Sequence, residues 1–159
     1  MALIKTGHNN KVAYRPLFDR FNAHSARVED CFLLSRDDYL LSINAALSNL
    51  LNTRCHISED DYNSLRPEDL TYGIPVLYGL PDFSYYDPMN HLSWQKLQRY
   101  IKNAIHLFEP RFDVSHIEVD HFNINTQVLT CKLEGWVNYA EKRELISYSV
   151  GMDTPNRSS

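Results

Sequence analysis

Glu109-Pro110-Arg111 sets a carboxylate and a guanidinium two residues apart around a proline, where a helical pattern gives way to strands. A planar guanidinium offers paired donors that match the two oxygens of a carboxylate. The expected chemistry is therefore a local ion pair, or a contact with a partner, at a surface corner. Acid catalysis suits the site poorly, because a carboxylate beside an arginine stays ionised at neutral pH. A lone arginine at a helix end also has ordinary work to do, pairing locally or capping carbonyls.

Other residues offer chemistry less directly. Glycoside hydrolysis requires two carboxylates roughly 5 to 10 Å apart across a sugar-binding cleft, and Glu109, Asp113, Glu118 and Asp120 are the candidates. Strand alternation puts Glu118 and Asp120 on one face, where two solvated carboxylates are the plainer expectation. Among the seven histidines there is no H-E-x-x-H motif, and His116 and His121 stand five apart outside any metal-ligand pattern. Cys55-His56 are neighbours, but adjacency does not aim an imidazole at a thiolate, so a structural or exposed cysteine is expected. The stretch from Gly73 to Gly79 lacks the Lys-Ser/Thr ending of a phosphate loop, and its glycines are expected to make turns. Trp94, Tyr100 and Tyr85-Tyr86 could stack on bases or sugars, although packing or interface anchoring is favoured. From these residues no catalytic group, metal site or cofactor is assigned.

The elements that must position the corner can be read from spacing. Ser35 is placed to cap a helix from Arg36, with Asp37 and Asp38 in its first turn. Leu40, Ile43, Leu47, Leu50 and Leu51 recur on one face of that helix, broadened by Ala46, and the run ends near Asn52-Thr53-Arg54. A second helix over Leu92 to Phe108 carries Leu97, Ile101, Ala104, Ile105 and Phe108 at helical spacing, with Asn90 or Ser93 as its cap, and Pro110 stops it. Between the helices, residues 55 to 90 hold Pro67, Pro75, Pro81, Pro88, Gly73 and Gly79. They form a long connection with at most short helical turns, packed onto the core through Ile74, Val76, Leu77, Leu80 and Phe83.

Beyond the corner, Val114 to Phe122 reads as a strand, Asn123 to Asn125 as a turn, and Gln127 to Tyr139 as a second strand. Leu129, Cys131, Leu133 and Val137 share one face of it, opposite Thr130, Lys132 and Glu134. Glu144 to Val150 is a third strand after a polar Glu141-Lys142-Arg143 turn. The expected class is α+β, with two principal helices packed on a small antiparallel sheet of about three strands. Residues 1–14 are expected to be a flexible arm, 15–152 one domain and 153–159 a frayed tail, with Leu17, Phe18 and Phe21 docking the segment after the arm. A meander of this size has edge strands, and those can accept a strand from another chain.

Composition narrows the class of function. The chain has 159 residues, 43% hydrophobic and 12% aromatic, enough for a single core. Its net charge of -4 supplies no basic field for phosphate backbones, so nucleic acid is not an expected partner. Cys31, Cys55 and Cys131 are odd in number and widely spaced, which reads as free thiols in a reducing compartment. The N-terminus has no basic then apolar pattern of a secretory signal, and no stretch has membrane-spanning length.

Taken in succession, Arg15-Pro16-Leu17-Phe18-Asp19-Arg20-Phe21, Ser42-Ile43, Leu50-Leu51-Asn52-Thr53-Arg54, Tyr78-Gly79-Leu80-Pro81-Asp82-Phe83 and Glu109-Pro110-Arg111 resemble the TssE family in order and spacing. That family comprises baseplate subunits of type VI secretion systems, similar to the wedge protein that starts the sheath of contractile phage tails. The resemblance covers roughly residues 15–150. It implies a cytoplasmic structural protein, at the baseplate docked on the inner-membrane complex. Its wedge partners would be TssF and TssG, with TssK and the VgrG hub nearby. It also implies that Glu109, Pro110 and Arg111 hold the subunit against the helical bundle of TssF and TssG, and that the sheet pairs with strands of the TssB/TssC sheath. No cofactor, nucleic acid or membrane insertion is implied, and the protein is not expected to be an enzyme. Some relatives carry a lysozyme-like label, so a peptidoglycan-hydrolysing enzyme is the alternative. An unrelated binding module using the same exposed strands is a third reading.

Overall fold

The structure, a computed structural model, describes residues 13–14, 33–65, 77–83, 86, 90–123, 128–140 and 142–153. Its elements run β1 (Ala13–Tyr14), β2 (Leu33–Leu34), α1 (Arg36–Leu51), α2 (Glu59–Ser64), α3 (His91–Phe108), β3 (Phe112–Asn123), β4 (Val128–Tyr139) and β5 (Lys142–Asp153). β3, β4 and β5 form one antiparallel sheet in that order, and β1 pairs antiparallel with β2 apart from it. The α+β expectation stands. The docking residues Leu17, Phe18 and Phe21, the apolar Ile74 and Val76, and the segment from Pro155 lie outside the described residues. Ala13–Tyr14, at the inner end of the segment expected to be an arm, pair with Leu33–Leu34.

Each helix begins where its cap chemistry requires. The Ser35 hydroxyl accepts from the Asp38 amide at 3.3 Å, Ser58 does the same for Asp61 at 3.2 Å, and the Asn90 side chain accepts from Leu92 at 2.9 Å. Caps of this kind satisfy amides that a first turn leaves without helical partners. α1 buries Tyr39, Ile43, Leu47, Leu50 and Leu51, while α3 buries Leu97, Tyr100, Ile101, Ala104, Ile105 and Leu107. Together these helices cover the face of β4 that carries Leu129, Cys131, Leu133, Val137 and Tyr139. β3 and β5 run longer than their expected spans, while β4 starts one residue later than expected. Asn123, expected in a turn, closes β3, and Lys142 and Arg143 already belong to β5. At the β4–β5 turn Ala140 is left-handed, at φ 49°.

The aromatic residues are packed. Tyr100 is 1% exposed, and its hydroxyl bonds to Glu59 and Asn63 on α2, both at 2.9 Å. Tyr86 donates to the same Glu59 carboxylate at 2.8 Å, and Trp94 packs half-buried against the core; Tyr85 is outside the described residues. The long connection reaches the core through two backbone bonds, Leu80 N–H to Thr53 at 2.9 Å and Cys55 N–H to Leu80 at 2.9 Å. Gly79 makes this approach possible. It sits at φ +104°, and a Cβ there would lie 2.5 Å from the Thr53 carbonyl oxygen.

Two substitutions test these assignments. Leu47, fully buried on α1, should lose about 2–5 kcal/mol of stability as Leu47→Ala through the cavity it leaves, read by urea denaturation. Gly79→Ala forces both a left-handed alanine and a backbone collision, so it should cost more than about 1 kcal/mol in the same assay.

The Glu-Pro-Arg corner as candidate functional site

The corner is a helix end converted directly into a strand start. Glu109 is the residue after α3, and its amide donates to Ile105 at 2.8 Å as the last helical bond. Three residues on, the Phe112 amide donates back to the Glu109 carbonyl at 3.0 Å and closes a turn. Pro110 lies at the second position of that turn, where its fixed φ fits and its missing amide is not needed. β3 then leaves at once, with the Phe112 ring lying against Gly135 of β4, where a Cβ would meet it at 2.7 Å.

Inside this turn the two charges meet as a fork. Arg111 Nε donates to Glu109 Oε1 at 2.6 Å, and its Nη2 donates to Oε2 at 2.7 Å. The remaining arm, Nη1, donates to Ser42 Oγ at 2.9 Å, and that hydroxyl in turn donates to the Tyr39 carbonyl at 2.9 Å. One guanidinium thus ties the α3–β3 turn to the middle of α1. The guanidinium carbon also stands 5.5 Å from the centre of the Tyr39 ring.

The ion pair expected at Glu109 and Arg111 is present, but the surface corner is not. Glu109 is 3% exposed and Arg111 keeps only 24% of its side chain in water, while Pro110 between them is exposed. The turn folds inward because Phe108 and Phe112, on either side, both face the core. Burial then leaves both carboxylate oxygens dependent on Arg111 for their hydrogen bonds. Three tyrosines register this environment. Burial raises the Tyr148 hydroxyl to about 12, with the Glu109 charge adding to the shift. Burial likewise raises Tyr39 and Tyr78, and Glu109 pushes both further in the same direction, while Arg111 opposes it at Tyr39. Each of these hydroxyls is therefore neutral at physiological pH.

Ser42 and Tyr39 were not singled out by their spacing as parts of the site. The available signal was a small hydroxyl placed one residue before Ile43 on the apolar side of α1, within reach of a partner that only the tertiary fold supplies. Tyr78 also reaches the corner, its ring edge-on to Phe108 at 5.2 Å. Among the described residues the candidate carboxylates do not converge. Glu109 lies under the sheet against the helices, whereas Asp113 and Glu118 are exposed on the other face, Asp113 held by Arg143 at 2.8 Å and Glu118 opposite Lys132. The Asp120 and His121 side chains lie outside the described residues. Burial raises the Cys55 thiol and pushes Cys131 up to about 12, so neither is an activated nucleophile. Among the described residues no three His, Cys, Asp or Glu are grouped to hold a metal ion, and no helix is long and apolar enough to cross a membrane.

Removing Arg111 alone should strand a buried carboxylate. Arg111→Ala is expected to lose about 3 kcal/mol, the lower end for a broken buried pair because the guanidinium keeps some water contact. Glu109→Ala/Arg111→Ala should be less damaging than Arg111→Ala, since no charge is left unpaired. Equal losses in denaturant titrations would show that the pair does not act as a unit.

The family described as Baseplate wedge protein gp25 matches residues 37–141, a span that holds α1, the connection, α3, the corner, β3 and β4. A solved structure from Geobacter sulfurreducens, described as a candidate tail lysozyme, is similar at 14% identity and a TM-score of 0.47, over 79% of this chain and 97% of that one. No curated protein matches the chain. With two thirds of its length matched, and the matched span built around a helix-to-strand corner, this chain belongs to the baseplate wedge protein gp25 family.

Proposed function

We propose that this protein is the TssE-type wedge subunit of a type VI secretion baseplate, joining TssF and TssG through the Glu109-Pro110-Arg111 corner and starting the TssB/TssC sheath by strand pairing. The observation that carries the reading is the corner itself, inside the span matched by the wedge family. Its ion pair holds α1, α3 and β3 in one rigid frame, and Pro110 with the outer side of Arg111 is what that frame presents to solvent. A preorganised turn loses little entropy when a partner's helices pack on it. Glu109 and Arg111 then act chiefly by fixing the shape of the contact, and Pro110 by filling it. As a member of a structural family with neighbours in a baseplate, the chain needs no turnover to perform this role.

Co-purification with TssF and TssG from the same organism tests the proposal. Wild type should form a stable complex, and Glu109→Ala/Arg111→Ala, once circular dichroism shows it folded, should be recovered at least tenfold less. A folded double variant that joins the wedge normally removes the corner from the interface. Failure of wild type to associate removes the wedge assignment itself.

A further inference from the structure

α3 carries cations and no carboxylates. Its sequence, His91–Phe108, holds Lys96, Arg99 and Lys102 but neither Asp nor Glu. In a chain where Asp and Glu outnumber Lys and Arg by 20 to 16, this helix reverses the overall sign. Lys96 is answered by Glu59 of α2 at 3.5 Å. Arg99, Lys102 and His106 are exposed at spacings of three and four, on one face of the helix, and among the described residues none of them pairs with a carboxylate. Like charges so placed weaken a helix instead of supporting it. The negative end of the helix dipole favours His106 in the last turn, but Arg99 and Lys102 stand too far from that end to gain from it.

The face these cations occupy is hollow. On one side of Asn103 and His106 a cavity of about 460 Å³ opens between α2 and α3, with Arg99 and Asn63 at its rim and Tyr62, Leu65 and Leu107 beneath. On the other side a cavity of about 250 Å³ has Lys102 at its rim and Phe112 and Val114 beneath. Asp113, the one carboxylate among the described lining residues, is held by Arg143 at 2.8 Å. The α2 wall is fixed, because Asn63 accepts from Arg99 at 2.7 Å and from Tyr100 at 2.9 Å. The bond to Asn63 uses Arg99 Nη2 alone, and a guanidinium has donors on three nitrogens. A merely solvated helix face needs neither charge of one sign nor two apolar-floored hollows beside it.

We propose that this groove along α3 is a docking site for a segment of another protein in which apolar and carboxylate side chains alternate. Its apolar side chains enter the two hollows, over Leu65 and Leu107 in one and over Phe112 and Val114 in the other. Its carboxylates meet Arg99 and Lys102, and His106 donates a further hydrogen bond from the ridge between the hollows. Charge selects the occupant and its place: an acidic segment is repelled by a chain of net charge -4 except where the local field is positive. Nucleic acid and lipid surfaces fit less well, since both present phosphates on a broad front and have no side chains to fill an apolar hollow. The site shares no residue with the Glu109-Pro110-Arg111 corner, and it stands whether or not the wedge assignment does.

The probe is a labelled synthetic peptide alternating leucine and glutamate, titrated against the full-length protein by fluorescence anisotropy. A second peptide carries glutamine for every glutamate, and a third carries serine for every leucine. The first should bind saturably and shift the backbone amide resonances of Arg99, Asn103 and His106, and the other two should bind roughly tenfold more weakly. Lys102→Glu, at an exposed position without a described partner, should weaken the first peptide by a similar factor while its circular dichroism matches wild type. If that variant does not fold, the three peptides and the wild-type shifts decide alone. No saturable binding of the first peptide, equal binding of the glutamine peptide, or shifts confined to other amides overturns the proposal. Equal binding of the serine peptide, displaced by inorganic polyphosphate, overturns the protein partner in favour of a general anion site. Self-association of the isolated chain that Lys102→Glu abolishes overturns it in favour of a second copy.

Discussion

A buried carboxylate with one neutralising partner is the constraint around which this fold is arranged. Glu109 lies within a hydrophobic core at 3% exposure, and both of its oxygens are taken by Arg111. Desolvating a carboxylate is costly unless a cation and good geometry offset it. The fork geometry therefore dictates that the chain reverse within three residues, so that Arg111 can return to Glu109 across Pro110. That reversal sets where β3 starts relative to α3. The third donor of Arg111, on Ser42, then decides where α1 lies against both. Hydrophobic burial supplies the bulk of the driving force, but the ion pair selects among the ways in which two helices could cover one sheet.

A second convergence sets the far end of the sheet. Thr53, Arg54 and Asn52 follow α1, and Leu80 follows the left-handed Gly79; the two segments meet in a short parallel bridge between Arg54 and Leu80. Arg54 lies 4.2 Å from the centre of the Phe83 ring and reaches the end of β5, as Asn52 does. The long connection and the sheet edge are therefore joined through one turn of chain. Closure of β5 at Gly151 and Asp153 comes from two of these residues, Asn52 and Arg54.

These features suit a structural subunit. A wedge component must present fixed surfaces to several neighbours at once, and a frame pinned by a buried ion pair at one corner and by side-chain-to-backbone bonds at the other is stiff in that sense. Among the described residues, the carboxylates considered for a hydrolase are spent on the frame or dispersed in solvent: Glu109 in its pair, Asp113 against Arg143, Glu118 opposite Lys132. Membership of the baseplate wedge family is consistent with that distribution.

Local patterns were enough to place the two long helices and the three long strands, though not β1 and β2. Apolar spacing at three and four residues, caps at Ser35 and Asn90, the stop at Pro110 and the alternation through Leu129, Cys131, Leu133 and Val137 each act within one or two turns of chain, so α1, α3 and three strands were legible directly. The pairing of Glu109 with Arg111 was legible for the same reason, since only two residues separate them. Their depth was not. Whether a turn faces water or the core depends on where Tyr39, Tyr78 and Tyr148, from three distant stretches, come to rest. The role of Ser42, 69 residues from Arg111, was equally beyond local reading. The guarding of β5 by Asn52, 99 residues from Gly151, and of β3 by Gln98 belongs to the same class. Sequence by itself determined the two long helices, the three long strands and the charge pair, because short-range sterics and periodicity govern them; the tertiary structure alone decided burial and the inequality of the two edges, because those depend on contacts between residues that the chain keeps far apart.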